Sequence, residues 1–384
     1  MFKPNRRECI QGMLATIAAA AAPVVSSCSS STPPSKARSG NDSLGSPSTA
    51  SPGNGAFKTC LIWGDTDPQL VKLSEQIGVT HAIAGTAGPL SRVPRSQYVD
   101  TVAKIKADYE KAGLTIAGIE SHPVPANKIK LGVPGRDEEI ENYIAAIRAL
   151  GKVGIPMVCY DFMAGIDWYR TNMDYPCRGG CHSVSFNIND VPKGLTKWGR
   201  ISEEKMWDNI TYFLKAVIPE AEKANVKMAL HPDDPPVPVL RGIHRIIISP
   251  AAYRRVMSIV PSPVNGVTFE IAIYYLMGAN LEAVAQEFGR AKKIFYIHSR
   301  NLRGTRDNFV ETFQDNGVID FGKVYQALYD SGVRVPLRPD HDPIVTGDDY
   351  FGKNRIHPGY GVIGKVFGAA YIKGILASRH IPYV

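Results

Sequence analysis

The sequence predicts an α/β fold: a (β/α)8 TIM barrel preceded by a signal peptide and a disordered linker. Three observations carry this. From residue 58 onward, short β-branched runs alternate with longer helical patterns, the signature of βα units. Eight of each are counted. Finally, acid and imidazole residues stand where several apolar runs end. His231 closes Val226-Lys227-Met228-Ala229-Leu230, Glu270 closes Gly266-Val267-Thr268-Phe269, His298 closes Ile294-Phe295-Tyr296-Ile297, and Asp340 ends the run that starts at Val333. Each gap between them is about one strand-loop-helix-loop unit. In a parallel barrel the strand C-termini converge on one rim, and catalytic groups sit there.

The bulk numbers permit such a barrel, which uses roughly 250 residues. The chain has 384 residues, 44% hydrophobic and 21% charged, ordinary values for a soluble enzyme with a sizeable core. The net charge of +8 is partly local to the N-terminus, where Lys3, Arg6, Arg7, Lys36 and Arg38 outnumber Glu8 and Asp42. The rest is spread without a basic run, which argues against nucleic acid as a partner.

Residues 1–28 read as an export signal. Arg6-Arg7 precede the apolar stretch 13–25, which is shorter than the roughly 20 residues of a spanning helix. The paired arginines resemble a twin-arginine signal, with Cys9-Ile10 in place of the usual bulky apolar pair. Val25-Ser26-Ser27-Cys28 resembles a bacterial lipoprotein box and makes Cys28 a candidate lipid anchor; cleavage near Ala22 to give a soluble product is the alternative. The expectation is an exported bacterial protein, periplasmic or membrane-anchored. Residues 29–56 are nearly all Ser, Pro, Gly, Thr and Ala and cannot bury enough surface to fold, so they form a linker. The barrel occupies 57–384. Whether it forms a homo-oligomer is left open.

Strands are expected at 59–63, 79–84, 114–120, 157–160, 226–231, 266–270, 294–298 and 335–340. Helices are expected at 68–77, 95–111, 137–151, 202–224, 249–259, 279–288, 320–331 and 362–378. Ser202 and Asp320 are placed to cap helix starts. Gly78, Gly113, Gly151 and Gly332 stand at expected helix stops. The segment 161–201, rich in Gly, Asn and Asp, is expected to be an elaborated loop after strand four that serves as a lid. It contains Cys177-Arg178-Gly179-Gly180-Cys181-His182, read as a small disulfide loop in an exported protein in preference to a second metal site. Cys60 and Cys159 lie in apolar runs and are read as buried packing residues.

The strand ends that carry His231, Glu270, His298 and Asp340 offer two imidazoles and two carboxylates, a cage suited to a divalent metal. For Glu270 an ion pair with Arg300 is the competing reading. Asp233 and Asp234 are either groups that orient ligands or a simple turn. Arg170 and Arg300 are either a fork for a substrate carboxylate or structural salt bridges. Glu120 and His122, at the end of strand three, face the same rim as candidate contacts for substrate hydroxyls.

Several blocks together resemble the bacterial mannonate dehydratase family. Val158-Cys159-Tyr160-Asp161-Phe162-Met163, continuing to Asp167-Trp168-Tyr169-Arg170-Thr171, is similar to its strand-four segment. His231-Pro232-Asp233-Asp234-Pro235-Pro236 resembles its most distinctive motif, and His298-Ser299-Arg300-Asn301 its His-Leu-Arg-Asn segment. Arg338-Pro339-Asp340-His341, Pro358-Gly359-Tyr360 and Gly368-Ala369-Ala370-Tyr371 match its C-terminal pattern. The resemblance implies metal-dependent dehydration of an aldonic acid, D-mannonate to 2-keto-3-deoxy-D-gluconate, with Mn2+ or Fe2+ and with Mg2+ also compatible. It implies His231, His298 and Asp340 as ligands, with Glu270 where the family has cysteine, and His341 and Tyr360 as the proton-transfer pair. Tyr160, Arg170, Arg300 and Asn301 join Glu120 and His122 as the implied substrate-binding set. The chain departs from the family after strand two, where Gly85-Thr86-Ala87-Gly88-Pro89-Leu90 replaces a His-x-Ile-Pro-x-Gly stretch, and after Glu270. Two other classes stay open: a xylose-isomerase-like isomerase or epimerase, whose sites also combine Glu, Asp and His, and a non-catalytic sugar-acid-binding lipoprotein.

Overall fold

The computed structural model describes residues 55–63, 66–352 and 357–384; the expected export leader, with Cys28, and nearly all of the expected linker lie outside them. Eight parallel strands close into a barrel: β1 (Lys58–Ile62), β2 (His81–Ala84), β3 (Thr115–Glu120), β4 (Met157–Tyr160), β5 (Lys227–Leu230), β6 (Asn265–Glu270), β7 (Ile294–Ser299) and β8 (Pro336–Pro339), which pairs back onto β1. The helices that follow them are α1 (Pro68–Gln76), α2 (Tyr98–Lys111), α3 (Arg136–Val153), α4 (Glu203–Lys223), α5 (Pro250–Ile259), α6 (Leu281–Arg290), α7 (Phe321–Asp330) and α8 (Val362–Ser378). Every expected strand and helix is therefore present, with ends shifted by a few residues.

Local chemistry starts these helices where they start. The side chains of Ser202, Asp320 and Asn280 accept from the backbone N–H of Lys205, Lys323 and Ala283 at 3.2, 3.2 and 2.9 Å. Each such cap contributes about 1 kcal/mol. Gly78, Gly113 and Gly332 stop α1, α2 and α7 with φ of +67°, +79° and +86°. Gly151 does not stop α3. The helix runs on to Val153, and Gly154, at φ +80°, ends it. Gly151 serves packing instead, since a Cβ there would lie 2.3 Å from the Ala224 carbonyl oxygen at the end of α4.

Side chains alternate across a strand, so each strand supplies one face to the barrel lumen and one to the helices. The lumen is plugged by Cys60, Ile83, Ala117, Met157, Cys159, Ala229, Phe295 and Tyr296, the last two adjacent in sequence where the β6–β7 register shifts by one residue; both cysteines are thus packing residues, as expected. Outside the strands a larger apolar layer, with Tyr143, Phe213, Tyr253 and Tyr274 fully enclosed, holds the helices on. Burial of one such side chain contributes roughly 1.5–3 kcal/mol. In register, Glu270 lies beside His298 and His298 beside Arg338. The luminal face thus turns from apolar to ionisable at the strand ends.

The expected lid is not a free loop. Asn172–Pro176 and His182–Asn187 pair in one antiparallel sheet with Asn301–Thr305 and Asn308–Thr312, which follow β7. Reciprocal backbone bonds between His182 and Ile344, at 2.9 and 2.7 Å, fasten this sheet to the segment after β8. A disulfide joins Cys177 and Cys181, whose Cα atoms are 5.3 Å apart, and closes the turn between the first two of these strands. At the opposite end, the last residues seal the barrel: Phe57 N–H donates to Pro382 O, Val384 N–H to Phe57 O and Thr59 N–H to Val384 O, at 2.8–2.9 Å. No helix among the described residues is long and apolar enough to cross a membrane.

Gly151 gives a test in which two effects oppose. Alanine is favoured over glycine inside a helix by about 1 kcal/mol, but overpacking against a backbone carbonyl costs about 1–3 kcal/mol. Gly151→Ala is expected to lower unfolding free energy in urea; a stabilised variant would show that the α3–α4 contact yields freely.

Candidate active site

His231 follows β5 directly. Its N–H donates to Tyr160 O at 2.7 Å, and its ring Nδ1 lies 2.8 Å from Pro232 O. A carbonyl can only accept, so Nδ1 carries the proton and Nε2 presents its lone pair. The His231 and His298 ring centroids are 5.1 Å apart. His298 Nδ1 is 3.6 Å from Asp340 Oδ2, and its Nε2 is 3.4 Å from Glu120 Oε2. Both nitrogens of His298, Glu120 Oε2 and Glu270 Oε1 are buried without a hydrogen-bond partner. Such orphaned atoms cost about 1–3 kcal/mol each unless a bound group satisfies them. Glu270 is the N-cap of the short helix Ile271–Leu276, where its Oε2 accepts from Ile273 N–H. Its Oε1 is 3.2 Å from Arg300 Nε, so the ion pair and the free lone pair coexist.

The electrostatics suit a cation. Burial, reinforced by the His298 charge, lowers the His231 imidazole to about 4, which keeps it neutral with its lone pair free. Burial opposes ionisation of Asp340, yet His341, Arg338 and His298 hold its carboxyl well below the usual carboxylate range. Arg338, whose NH2 reaches Asp340 Oδ1 at 2.8 Å and Glu120 Oε1 at 3.0 Å, keeps Glu120 ionised against its burial. Burial pushes Glu270 up to about 7, with Arg300 pulling the other way.

A second cluster lies beside the first. The Arg170 guanidinium grips Asp234 with NH1 and NH2 at 2.6 and 2.9 Å and donates through Nε to Glu311 Oε1 at 2.9 Å. Arg300 NH1 donates to Asp234 Oδ2 at 2.9 Å and Glu311 Oε1 at 3.0 Å. These two cations override burial and hold both carboxyls down, Glu311 at about 2 and Asp234 lower still. Glu311 Oε1 and Oε2 stand 3.0 and 2.8 Å from His341 Nδ1, and His341 Nε2 is 2.9 Å from the Tyr360 hydroxyl. His341 has a left-handed backbone, φ +49°, uncommon for a residue with a Cβ. Trp168 packs edge-on against its ring.

A cavity of about 110 Å³ opens over both clusters, walled by Glu120, Tyr160, Asp161, Trp168, His231, Asp234, His298, Asp340, His341 and Tyr360, among others. Four members of the expected substrate-binding set are placed elsewhere. Arg170 and Arg300 are committed to buried ion pairs and do not line the cavity. Asn301 spends its amide on Gln314 O and Ile319 O, at 2.7 and 3.3 Å, tying the hairpin after β7 to the barrel. His122 sits behind the wall, 3.4 Å from Asp161 Oδ2, while Lys130 holds Asp161 Oδ1 at 3.1 Å. Glu311 is the residue that sequence reading missed. Nothing in Asn308-Phe309-Val310-Glu311-Thr312, which lacks a clean apolar–polar alternation, marks the acid as buried.

The rim thus gathers two imidazoles and several carboxylates, donor atoms suited to a divalent ion, beside a His–Tyr pair able to move protons. The D-mannonate dehydratase (UxuA) family model matches residues 57–193 and 187–381. The chain is 36% identical over 354 residues to a mannonate dehydratase of Streptococcus equi subsp. zooepidemicus, spanning 84% of this chain and 94% of that one. It is 34% identical to a mannonate dehydratase of Thermotoga maritima, spanning 78% and 92%. The crystal structure of mannonate dehydratase from Streptococcus suis superposes with a TM-score of 0.76 at 32% identity, over 85% of this chain and 95% of that one. A xylose isomerase domain protein of Alicyclobacillus acidocaldarius, at 13% identity and a TM-score of 0.56, shares the fold alone. The chain belongs to the mannonate dehydratase family. That family is metal-dependent, and the rim has the donor atoms for an ion.

Breaking one partner out of a buried ion pair costs about 3–5 kcal/mol. Asp234→Asn, which removes the carboxylate that Arg170 and Arg300 both hold, is expected to destabilise the protein by that order in denaturant. Glu311 and Asp234 have folded-state pKa values depressed below the usual 4 or so, so their contribution is complete above that pH and is lost as pH falls toward 2. Wild type is therefore expected to unfold within that acid window, and Asp234→Asn at a higher pH. Coincident acid transitions would refute the assignment.

Proposed function

We propose that this protein is a metal-dependent hydro-lyase that removes water from a sugar acid, converting D-mannonate to 2-keto-3-deoxy-D-gluconate. The observation that carries the reading is the His341–Tyr360 pair, 2.9 Å apart and facing the same cavity as the unpartnered donors of His298. His231, Glu270, His298 and Asp340 would hold the metal. An ion bound there supplies charge stabilisation for the enolate-like state that forms when the proton beside the carboxylate leaves. Among the described residues no Arg or Lys lines the cavity; an ion held there would supply counter-charge for the acid group of the substrate. Glu120, Asp161 and Tyr160 face the cavity and suit the hydroxyls of the polyol chain.

The chain's own residues then divide the proton work. His341 Nε2 takes the C2 proton as a general base. Burial keeps the Tyr360 phenol far above its usual range and so protonated; it gives its proton to the departing C3 hydroxyl, which leaves as water. The His341–Tyr360 hydrogen bond returns the proton from the imidazole to the phenolate and closes the cycle. Glu270 in place of a cysteine hardens the donor set, which favours Mn2+, Fe2+ or Mg2+ over thiophilic metals. We place the protein outside the cytoplasm on the leader, the lipobox at Cys28 and the Cys177–Cys181 disulfide.

Purified protein loaded with Mn2+ is expected to form a 2-keto-3-deoxy acid from D-mannonate among a panel of aldonic acids, with loss of about 10²–10⁴ in kcat in His341→Asn. An isomerised or epimerised sugar with no loss of water would move the protein to the isomerase class, and bound metal without any turnover would leave a binding protein. Glu270→Cys is expected to shift metal preference toward zinc in competition titrations read by elemental analysis; an unchanged order would remove Glu270 from the ligand set. Mass spectrometry of membrane-extracted protein should find acylated Cys28 as the mature N-terminus, and an unmodified Cys28 would rule out the anchor.

A further inference from the structure

We propose that Glu311, on the hairpin that follows β7, is the positioning residue for the proton-transfer histidine: it fixes the proton of His341 on Nδ1 so that Nε2 meets Tyr360 and the substrate as a base. This rests on the assignment of His341 given above. Two groups compete for His341 Nδ1, since Arg300 NH1 approaches it to 2.5 Å while Glu311 offers Oε2 at 2.8 Å and Oε1 at 3.0 Å. The two would impose opposite tautomers, because a guanidinium only donates and a carboxylate only accepts. The hydrogen count decides between them. Arg300 NH1 has two hydrogens, and Asp234 Oδ2 and Glu311 Oε1 already take both, at 2.9 and 3.0 Å. Nothing is left to give to the imidazole, so Nδ1–H donates to Glu311.

Glu311 is built for the task. Its side chain is 1% exposed, and two arginines hold its charge in place. Its strand, Asn308–Thr312, lies between Asn301–Thr305 and His182–Asn187, so the carboxylate has a rigid base. The imidazole is constrained from its own backbone as well. Asp342 N–H donates to Gly359 O at 2.6 Å and Gly361 N–H to Asp342 O at 3.1 Å, which fixes Tyr360 beside the residue after Asp340. The accessory sheet is thereby part of the proton-transfer apparatus and not merely a cover. A partner of this kind sets both the tautomer and the orientation of a catalytic imidazole.

The test pairs kinetics with a spectroscopic signature. In 15N-histidine-labelled wild type loaded with Mg2+, with the His341 resonances assigned from their loss in His341→Asn, the imidazole is expected to carry its neutral-form proton on Nδ1. In Glu311→Gln the tautomer signal should shift toward Nε2–H, and kcat for D-mannonate should fall by about 100-fold or more, with KM and metal content within about three-fold of wild type. Glu311→Asp, which keeps the charge one methylene further off, should recover part of kcat. Full turnover by folded Glu311→Gln, or an Nε2–H tautomer in wild type, overturns the proposal. The wild-type spectrum decides even if Glu311→Gln fails to fold. Full activity in His341→Asn would instead sink the base assignment itself; inactive His341→Asn beside active Glu311→Gln sinks only the role of Glu311.

Discussion

Two buried guanidinium groups shared between two buried carboxylates hold the mouth of this barrel in shape. Arg170 arrives from the excursion after β4, Asp234 from the loop after β5, and Arg300 and Glu311 from the hairpin after β7. Each charge alone would be too costly to bury, so no one of these segments can settle without the others. Desolvation makes the cluster all-or-none: complete, it orders three loops; with one member missing, it strands a charge. The His341 imidazole is attached to the edge of this cluster and inherits its rigidity.

The barrel supplies a second, simpler constraint. Alternation along each strand sends one face inward, and parallel register brings Glu270, His298 and Arg338 abreast. Below them the lumen is filled with small and apolar side chains, which denies water access from beneath. The ionisable groups therefore lie between an apolar plug and a polar mouth, where burial neutralises His231 while Arg338 keeps Glu120 charged. Opposite protonation states within one small site follow from where each side chain meets a fixed cation.

Much of this was legible in the sequence because it depends on local pattern. Apolar runs of period two, glycine stops and Ser or Asp caps are short-range signals, and they place the strands and helices within a few residues. The residues that end the luminal strands, His231, Glu270 and His298, with Asp340 just beyond β8, follow from the same alternation. Gly151 misled because a helical glycine can serve close packing as well as termination. Arg170 and Arg300 were ambiguous because an arginine's partner is set by folding: Arg170 finds Glu311 across 141 residues of chain. Glu311 itself carries no motif, and its role exists only once the hairpin folds over His341.

The splice between the two ends of the barrel domain has a practical corollary. Phe57 and Thr59 exchange backbone hydrogen bonds with Pro382 and Val384, so the domain begins and finishes at the same spot, on the face opposite the catalytic mouth. A short peptide joining those ends would let the chain be opened elsewhere, for instance at the exposed Gly194–Leu195 stretch, and circularly permuted without undoing the β1–β8 closure. The order in which the eight βα units are synthesised would change; the ring they form would not.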